Sequence, residues 1–218
     1  MLRDKAGTAV SLRLNEVYET IQGEGLLAGT PVILIRLQGC NLRCPWCDQP
    51  DALESGGGEE TDPEELVRKI RSSPFRHVLI TGGEPLLHRE LPLLVELLVR
   101  ESFSVQIETN GTLWNPDLAR FGGVHLTCSP KGVVDYRVHP EILKRASELK
   151  FVVDSALSAE VLLRREFLNL LGEGKVVLQP ESNREDMFRK ALILQRRVAE
   201  AGYRVRVLPQ IHRVFGIP

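Results

Sequence analysis

The chain has 218 residues, 43% hydrophobic and 26% charged, which is enough apolar material for one well-buried domain and short for two. Lys and Arg number 28 against 29 Asp and Glu, a net charge of −1, so no electrostatic footprint for nucleic acid is visible. No apolar run approaches the roughly 18 to 20 residues of a membrane-spanning helix, and Met1 to Lys5 leads into no signal-peptide core. The protein is therefore expected to be soluble and cytoplasmic, with neither membrane nor nucleic acid as partner.

Residues 1–11 carry no periodicity and are expected to be frayed, whereas Leu12 to Thr20 alternates as an edge strand does. Ile21-Gln22-Gly23-Glu24-Gly25 follows. It reads either as a plain turn or as a loop whose glycines let the backbone approach a ligand while Gln22 and Glu24 accept from its donors. Pro31 to Gly39 is an apolar, β-branched run and reads as a buried strand, interrupted by Arg36, which needs a partner there. Cys40-Asn41-Leu42-Arg43-Cys44-Pro45-Trp46-Cys47 springs from its C-terminal end, where α/β folds place chemistry.

After the flexible Ser55 to Gly58, Asp62-Pro63-Glu64-Glu65 is a helix start with Asp as N-cap and Pro at the first helical position, the helix running to about Ser72. His77 to Thr81 is a short strand followed by Gly82-Gly83-Glu84-Pro85, either a simple turn or backbone exposed for a ligand. A helix from Arg89 to Glu101 leads to strand Ser104 to Glu108 and the turn Thr109-Asn110-Gly111-Thr112. Strand Val124 to Cys128 ends in Ser129-Pro130-Lys131, and strand Leu149 to Val153 ends in Asp154. A helix over Ser158 to Leu171 precedes Val176 to Leu178, which ends in Gln179-Pro180. Asn183 is expected to cap a helix through Ala201 that Gly202 terminates, and a last strand, Tyr203 to Leu208, runs into Gln210 to Arg213.

Strands separated by helices require parallel pairing through right-handed crossovers. Nearly every strand ends in polar residues, which a parallel barrel would gather on one rim. The chain is too short for eight βα units, so the expected fold is α/β, an open, incomplete parallel β/α barrel. It is read as one domain, with residues 1–30 as an extension carrying the Gln22 loop, 31–208 as the partial barrel and 209–218 as a tail over the site.

Four cysteines with three in one loop form no disulfide framework. The C-x3-C-x2-C loop admits a structural zinc site, which wants a fourth ligand, for instance a His, because Cys128 lies in an apolar strand. It equally admits a [4Fe–4S] cluster with one open iron. With an aromatic just before the third Cys, the loop resembles that of the radical S-adenosylmethionine (SAM) superfamily, and Gly82-Gly83-Glu84-Pro85 resembles that superfamily's element for the SAM ammonium. The resemblance implies that SAM chelates the open iron and is cleaved to methionine and a 5′-deoxyadenosyl radical, with a flavodoxin, ferredoxin or reductase as electron donor.

Glu19 to Gly25, Arg36 to Leu42, Glu108 to Thr112, Ser129 to Lys131, Leu149 to Val152, Gln210 to Arg213 and Gly216 to Pro218 together resemble the 7-carboxy-7-deazaguanine synthase family, in order along almost the whole chain. The resemblance implies ring contraction of 6-carboxy-5,6,7,8-tetrahydropterin with loss of ammonia, SAM acting as a regenerated cofactor, in a homodimer. It assigns Cys40, Cys44 and Cys47 to the cluster. Trp46, Cys47, Asp48, Gly82, Gly83, Glu84 and Glu108 go to SAM, with Asn110, Ser129, Pro130, Lys131 and Gln179. Ile21, Gln22, Gly23, Glu24, Arg36, Thr81, His212 and Pro218 go to the substrate. The residue two after the last cluster cysteine, where the family usually has a Thr resembling a Mg²⁺ ligand, is here Gln49; its amide oxygen is a legitimate but longer ligand. A glycyl-radical-enzyme activase and a zinc-stabilised binding module stand as alternatives.

Overall fold

The computed structural model describes residues 11–217; residues 1–10, expected to be frayed, and Pro218, expected to contact substrate, lie outside them. The strands are β1 (Leu12–Ile21), β2 (Pro31–Leu37), β3 (Glu59–Thr61), β4 (His77–Gly82), β5 (Ser104–Thr109), β6 (His125–Cys128), β7 (Glu148–Val153), β8 (Val176–Pro180) and β9 (Arg206–Val207). They form one sheet in the order β3-β1-β2-β4-β5-β6-β7-β8-β9. From β2 through β9 the neighbours run parallel, as the alternation with helices requires. Only β1 and β3 are antiparallel to their neighbours. The order leaves two free edges, so the parallel barrel is partial.

Strand periodicity divides the chemistry between two faces. Ile33, Ile35 and Leu37 of β2, Val78 and Ile80 of β4, and Leu149, Phe151 and Val153 of β7 pack into one core with the apolar sides of helices such as Leu91–Arg100. The residues between them, Leu34, Arg36, Leu79, Thr81, Lys150 and Val152, face the opposite way and line a cavity. Parallel register sets Arg36 beside Thr81 and Val152 beside Gln179, which brings side chains far apart in sequence to the same rim.

Several elements differ from the sequence reading, each for a local reason. β1 is an edge strand except at its start, where β3 pairs with Leu12, Arg13 and Leu14; Glu59-Glu60-Thr61 is short and largely exposed, and carries no hydrophobic pattern to announce it. Charged residues on such an edge also disfavour pairing with another sheet. The helix over Ser158 to Leu171 is broken into Ala159–Leu162 and Leu168–Gly172. Leu162 and Phe167 are both fully buried, and an unbroken helix would turn residues five apart roughly 140° away from each other. A helix at Pro140–Arg145, with Pro in its first turn and His139 accepting from the Glu141 N–H, was not anticipated. Asp62 does cap its helix, accepting from the Glu64 N–H at 2.9 Å. Asn183 does not cap Glu185–Glu200. Its φ is +55°, and its side-chain amide instead exchanges two hydrogen bonds with the Gln210 backbone, at 2.8 and 3.0 Å. The last strand shrinks to Arg206–Val207, and Ile211–Phe215 is a short helix.

Candidate active site

The polar strand ends converge on a cavity of about 570 Å³. Cys40, Cys44 and Cys47 line it, each half-buried. Burial pushes the Cys40 and Cys44 thiols up, so the thiolates a cluster needs have to be stabilised by the metal itself. Cys128 is fully buried in β6 and does not line the cavity, in keeping with a small core residue. Burial raises its thiol pKa strongly.

The cysteine loop is short of regular structure, and its shape comes from side-chain ties. Trp46 Nε1 donates to Asp154 Oδ2 at the end of β7 (2.9 Å), while Asp154 Oδ1 accepts from the Ala156 and Leu157 N–H groups. Lys131 donates to Ser129 at 2.8 Å and sits 5.1 Å from the centre of the Trp46 ring, a cation–π contact. Asn110 Nδ2 donates to Asn41 Oδ1 (2.9 Å). Gln38, 3% exposed, donates to the Asp51 and Glu54 carbonyls and so fixes the segment after the loop. Neither Gln38 nor Asp154 stands out as a brace by residue type or spacing.

Gly82 and Gly83 line the cavity, but Glu84 and Pro130 do not. Glu84 is fully buried behind the glycines and accepts from Leu86 N–H, Thr109 Oγ1 and Asn110 N–H. Burial raises its pKa against those three donors. It thus shapes the rim by holding Asn110. The glycines answer to packing: a Cβ on Gly83 would lie 2.2 Å from the Gly39 carbonyl oxygen and 2.7 Å from that of Ala52. Gly83→Ala should therefore displace the start of the cysteine loop and cost about 1–3 kcal/mol of stability. A fall in the urea midpoint of the apo-protein checks this, and an unchanged midpoint would refute it.

The other end of the cavity is built from the Gln22 loop, the inner sheet face and the C-terminal segment. Lys150, in the middle of β7 and 4% exposed, forms ion pairs with Glu24 Oε2 and with Glu108 Oε2, the latter at 3.0 Å. Gln22 Nε2 donates to Glu108 Oε1 at 3.1 Å, and Gln22 Oε1 accepts from the Glu24 N–H. Gln210 Nε2 reaches both Glu24 Oε1 (2.7 Å) and Asp48 Oδ2 (3.2 Å), tying the loop to the residue after Cys47. Burial alone would raise the Glu24 pKa, but the adjacent Lys150 ammonium, with hydrogen bonds from Lys150 and Gln210 and the charge of His212, brings it down to about 2. Burial opposes the charge on Lys150, and the two carboxylates overturn it, raising its pKa.

The glycines of this loop make room for protein groups. A Cβ on Gly23 would fall 2.0 Å from His212 Nδ1, and one on Gly25 (φ +68°) 2.6 Å from Glu148 Oε1. Glu148 also accepts from the Leu26 N–H at 2.7 Å, anchoring the loop from below. Arg36, 7% exposed, donates through Nε to Glu16 Oε1 (2.5 Å) and through NH2 to Tyr18 (3.5 Å). Burial works against its charge, and the Glu16 hydrogen bond and carboxylate more than restore it. Glu16, Tyr18, Lys150 and Gln210 receive no site role from the sequence, although Lys150 and Gln210 lie in stretches that carry the resemblance. A lysine inside the apolar run Leu149 to Val153 was the available signal for one of them.

Ile21, Gln22, Gly23, Glu24, Arg36, Thr81 and His212 thus share one cavity with Trp46, Asp48, Gln49, Glu108, Asn110, Ser129, Lys131 and Gln179. Among the described residues no helix is long and apolar enough to cross a membrane. The radical SAM superfamily model matches residues 34–159. The 7-carboxy-7-deazaguanine synthase of Aquifex aeolicus (strain VF5) is 57% identical over 219 residues, covering 100% of both chains. That of Escherichia coli (strain K12) is 35% identical across 81% of this chain and 87% of its own. The crystal structure of QueE from Escherichia coli superposes with a TM-score of 0.74 at 34% identity, covering 93% of this chain and 95% of the other. Because the identity extends beyond the shared barrel into the Gln22 loop and the C-terminal segment, the chain belongs to the 7-carboxy-7-deazaguanine synthase family of the radical SAM superfamily.

Proposed function

We infer that the chain converts 6-carboxy-5,6,7,8-tetrahydropterin to 7-carboxy-7-deazaguanine with loss of ammonia, a step of queuosine biosynthesis. The observation that carries this reading is the full-length identity to a synthase together with a cavity that offers both a buried guanidinium and partly buried carboxylates. When bound, the cluster and SAM supply one-electron cleavage of SAM and removal of a hydrogen atom from the substrate. Three half-buried thiols from one loop, all facing the cavity, are a donor set that fits such a cluster.

The rest is positioning. Arg36 holds the substrate carboxylate by charge-assisted hydrogen bonds, sharing its fork with Glu16. Glu24 accepts from the guanidine-like edge of the pterin, and Glu108, which the resemblance assigned to SAM, is grouped with it because Gln22 and Lys150 join the two carboxylates. Trp46, braced by Asp154 and covered by Lys131, shapes the adenine side of the SAM site. Gln210 and His212 close the substrate loop from the C-terminal side, where Ile211 N–H donates to the Gly23 carbonyl at 2.9 Å.

Anaerobic incubation of cluster-reconstituted protein with SAM, reductant and the carboxytetrahydropterin tests the reaction, the product being followed by mass spectrometry. 7-Carboxy-7-deazaguanine is expected. Cleavage of SAM without it would preserve the radical chemistry and remove the substrate. Neither the activase nor the zinc-module alternative is favoured by the family membership.

The same reading includes a flavodoxin- or ferredoxin-type donor, a homodimer, a cytoplasmic location and a Mg²⁺ ion at Gln49, which lines the cavity beside Asp48. Chelation by EDTA should lower turnover, and added Mg²⁺ should restore it; turnover indifferent to both would dismiss the ion.

A further inference from the structure

Lys150 is the most deeply buried cation of the cavity, and its ammonium joins two carboxylates that come from separate segments, the loop after β1 and the end of β5. Two negative charges against one positive leave the group net anionic, which suits an acceptor for a donor-rich ligand edge. Without the cation, two largely buried carboxylates, 13% and 17% exposed, would face each other. One of them would then take up a proton, and a protonated carboxyl is a poorer acceptor. The same ammonium fixes their separation, because it holds Glu24 in place while Gln22 links the Glu24 backbone to Glu108.

We propose that Lys150 is a positioning residue that holds Glu24 and Glu108 in register as a joined pair of acceptors, so that together they accept from the amino-pyrimidine edge of the substrate. This role rests on the substrate assignment above.

The titratable and charged groups that bear on this site come from every adjoining element. They are Glu24 and His212 around the loop, Glu108 on β5, Glu148 two residues before Lys150 on β7, and Asp48 through Gln210. With Lys150 present, the Glu24 carboxyl is held well below the usual carboxylate range, so it keeps its charge across the neutral range. With it removed, burial is no longer offset and the carboxylate pKa rises. Acceptor capacity is then lost as pH falls.

The probe is 6-carboxypterin, the fluorescent oxidised analogue, titrated into the full-length protein between pH 7 and pH 5. Wild type should change affinity little beyond the ligand's own titration. Lys150→Met should bind about tenfold more weakly per pH unit on the acidic side, and Lys150→Arg should restore most of the wild-type profile. Where Lys150→Met fails to fold, Lys150→Met/Glu108→Gln removes the repulsion as well and should recover folding, with reduced affinity and a pH dependence shallower than that of Lys150→Met. The idea is overturned by a Met variant with the wild-type pH profile, by Arg rescuing no better than Met, or by a double variant that stays unfolded. If wild type does not bind 6-carboxypterin at all, the substrate assignment falls, and this role falls with it.

Discussion

Cys44→Ala should abolish formation of 7-carboxy-7-deazaguanine, to the background of the assay, while leaving the polypeptide folded. Cys44 sits half-buried at the cavity with Cys40 and Cys47. Its side chain makes no hydrogen bond that holds the barrel; the loop's attachment runs through Cys40 N–H to the Leu53 carbonyl (3.0 Å), Trp46 to Asp154, and Asn110 to Asn41. Removing the thiol therefore subtracts a ligand and little packing. The remaining pair cannot hold three irons of a cluster that takes one thiolate per iron. Iron and acid-labile sulfide content, read alongside circular dichroism, check the prediction. A variant that retains full cluster content and turnover would exclude Cys44 as a ligand.

Arg36→Ala should lower kcat/KM about thirty-fold or more, chiefly by raising the substrate KM. Truncating one member of a desolvated charge pair costs about 2–5 kcal/mol, and the low end of that range is about thirty-fold at about 1.4 kcal/mol per decade. The variant should remain stable, because the carboxylate it abandons, Glu16, keeps 41% of its side chain exposed and can be hydrated. Arg36→Lys should fall between the two, since a point charge cannot serve Glu16 and a substrate carboxylate through separate prongs of one planar fork. Steady-state kinetics of the three proteins decide it. An unchanged KM in Arg36→Ala would move the carboxylate anchor elsewhere.

The strands, the parallel barrel and the cysteine loop were legible because they rest on local signals. Apolar runs of strand length, an Asp-Pro-Glu-Glu helix start and the C-x3-C-x2-C spacing each act within about ten residues. The failures also had a local origin. β3 has only Glu59-Glu60-Thr61 with which to signal a strand. Asn183 looked like a helix cap because a cap and a bridge to Gln210 require the same side chain.

What the sequence by itself determined is the inventory: three thiols on one loop, glycines where backbone must come close, and an arginine inside an apolar strand. What only the tertiary structure decided is the pairing of that inventory. Arg36 finds Glu16 across the antiparallel β1–β2 pair, and Lys150 finds Glu24 and Glu108, which lie 126 and 42 residues away. Glu84, placed by its motif among the SAM ligands, is spent on Thr109 and Asn110 behind the rim. The physical reason is common to all three. A buried charge must be satisfied, but any opposite charge or donor can satisfy it. Which one does so depends on strand order and register, and those are properties of the whole sheet.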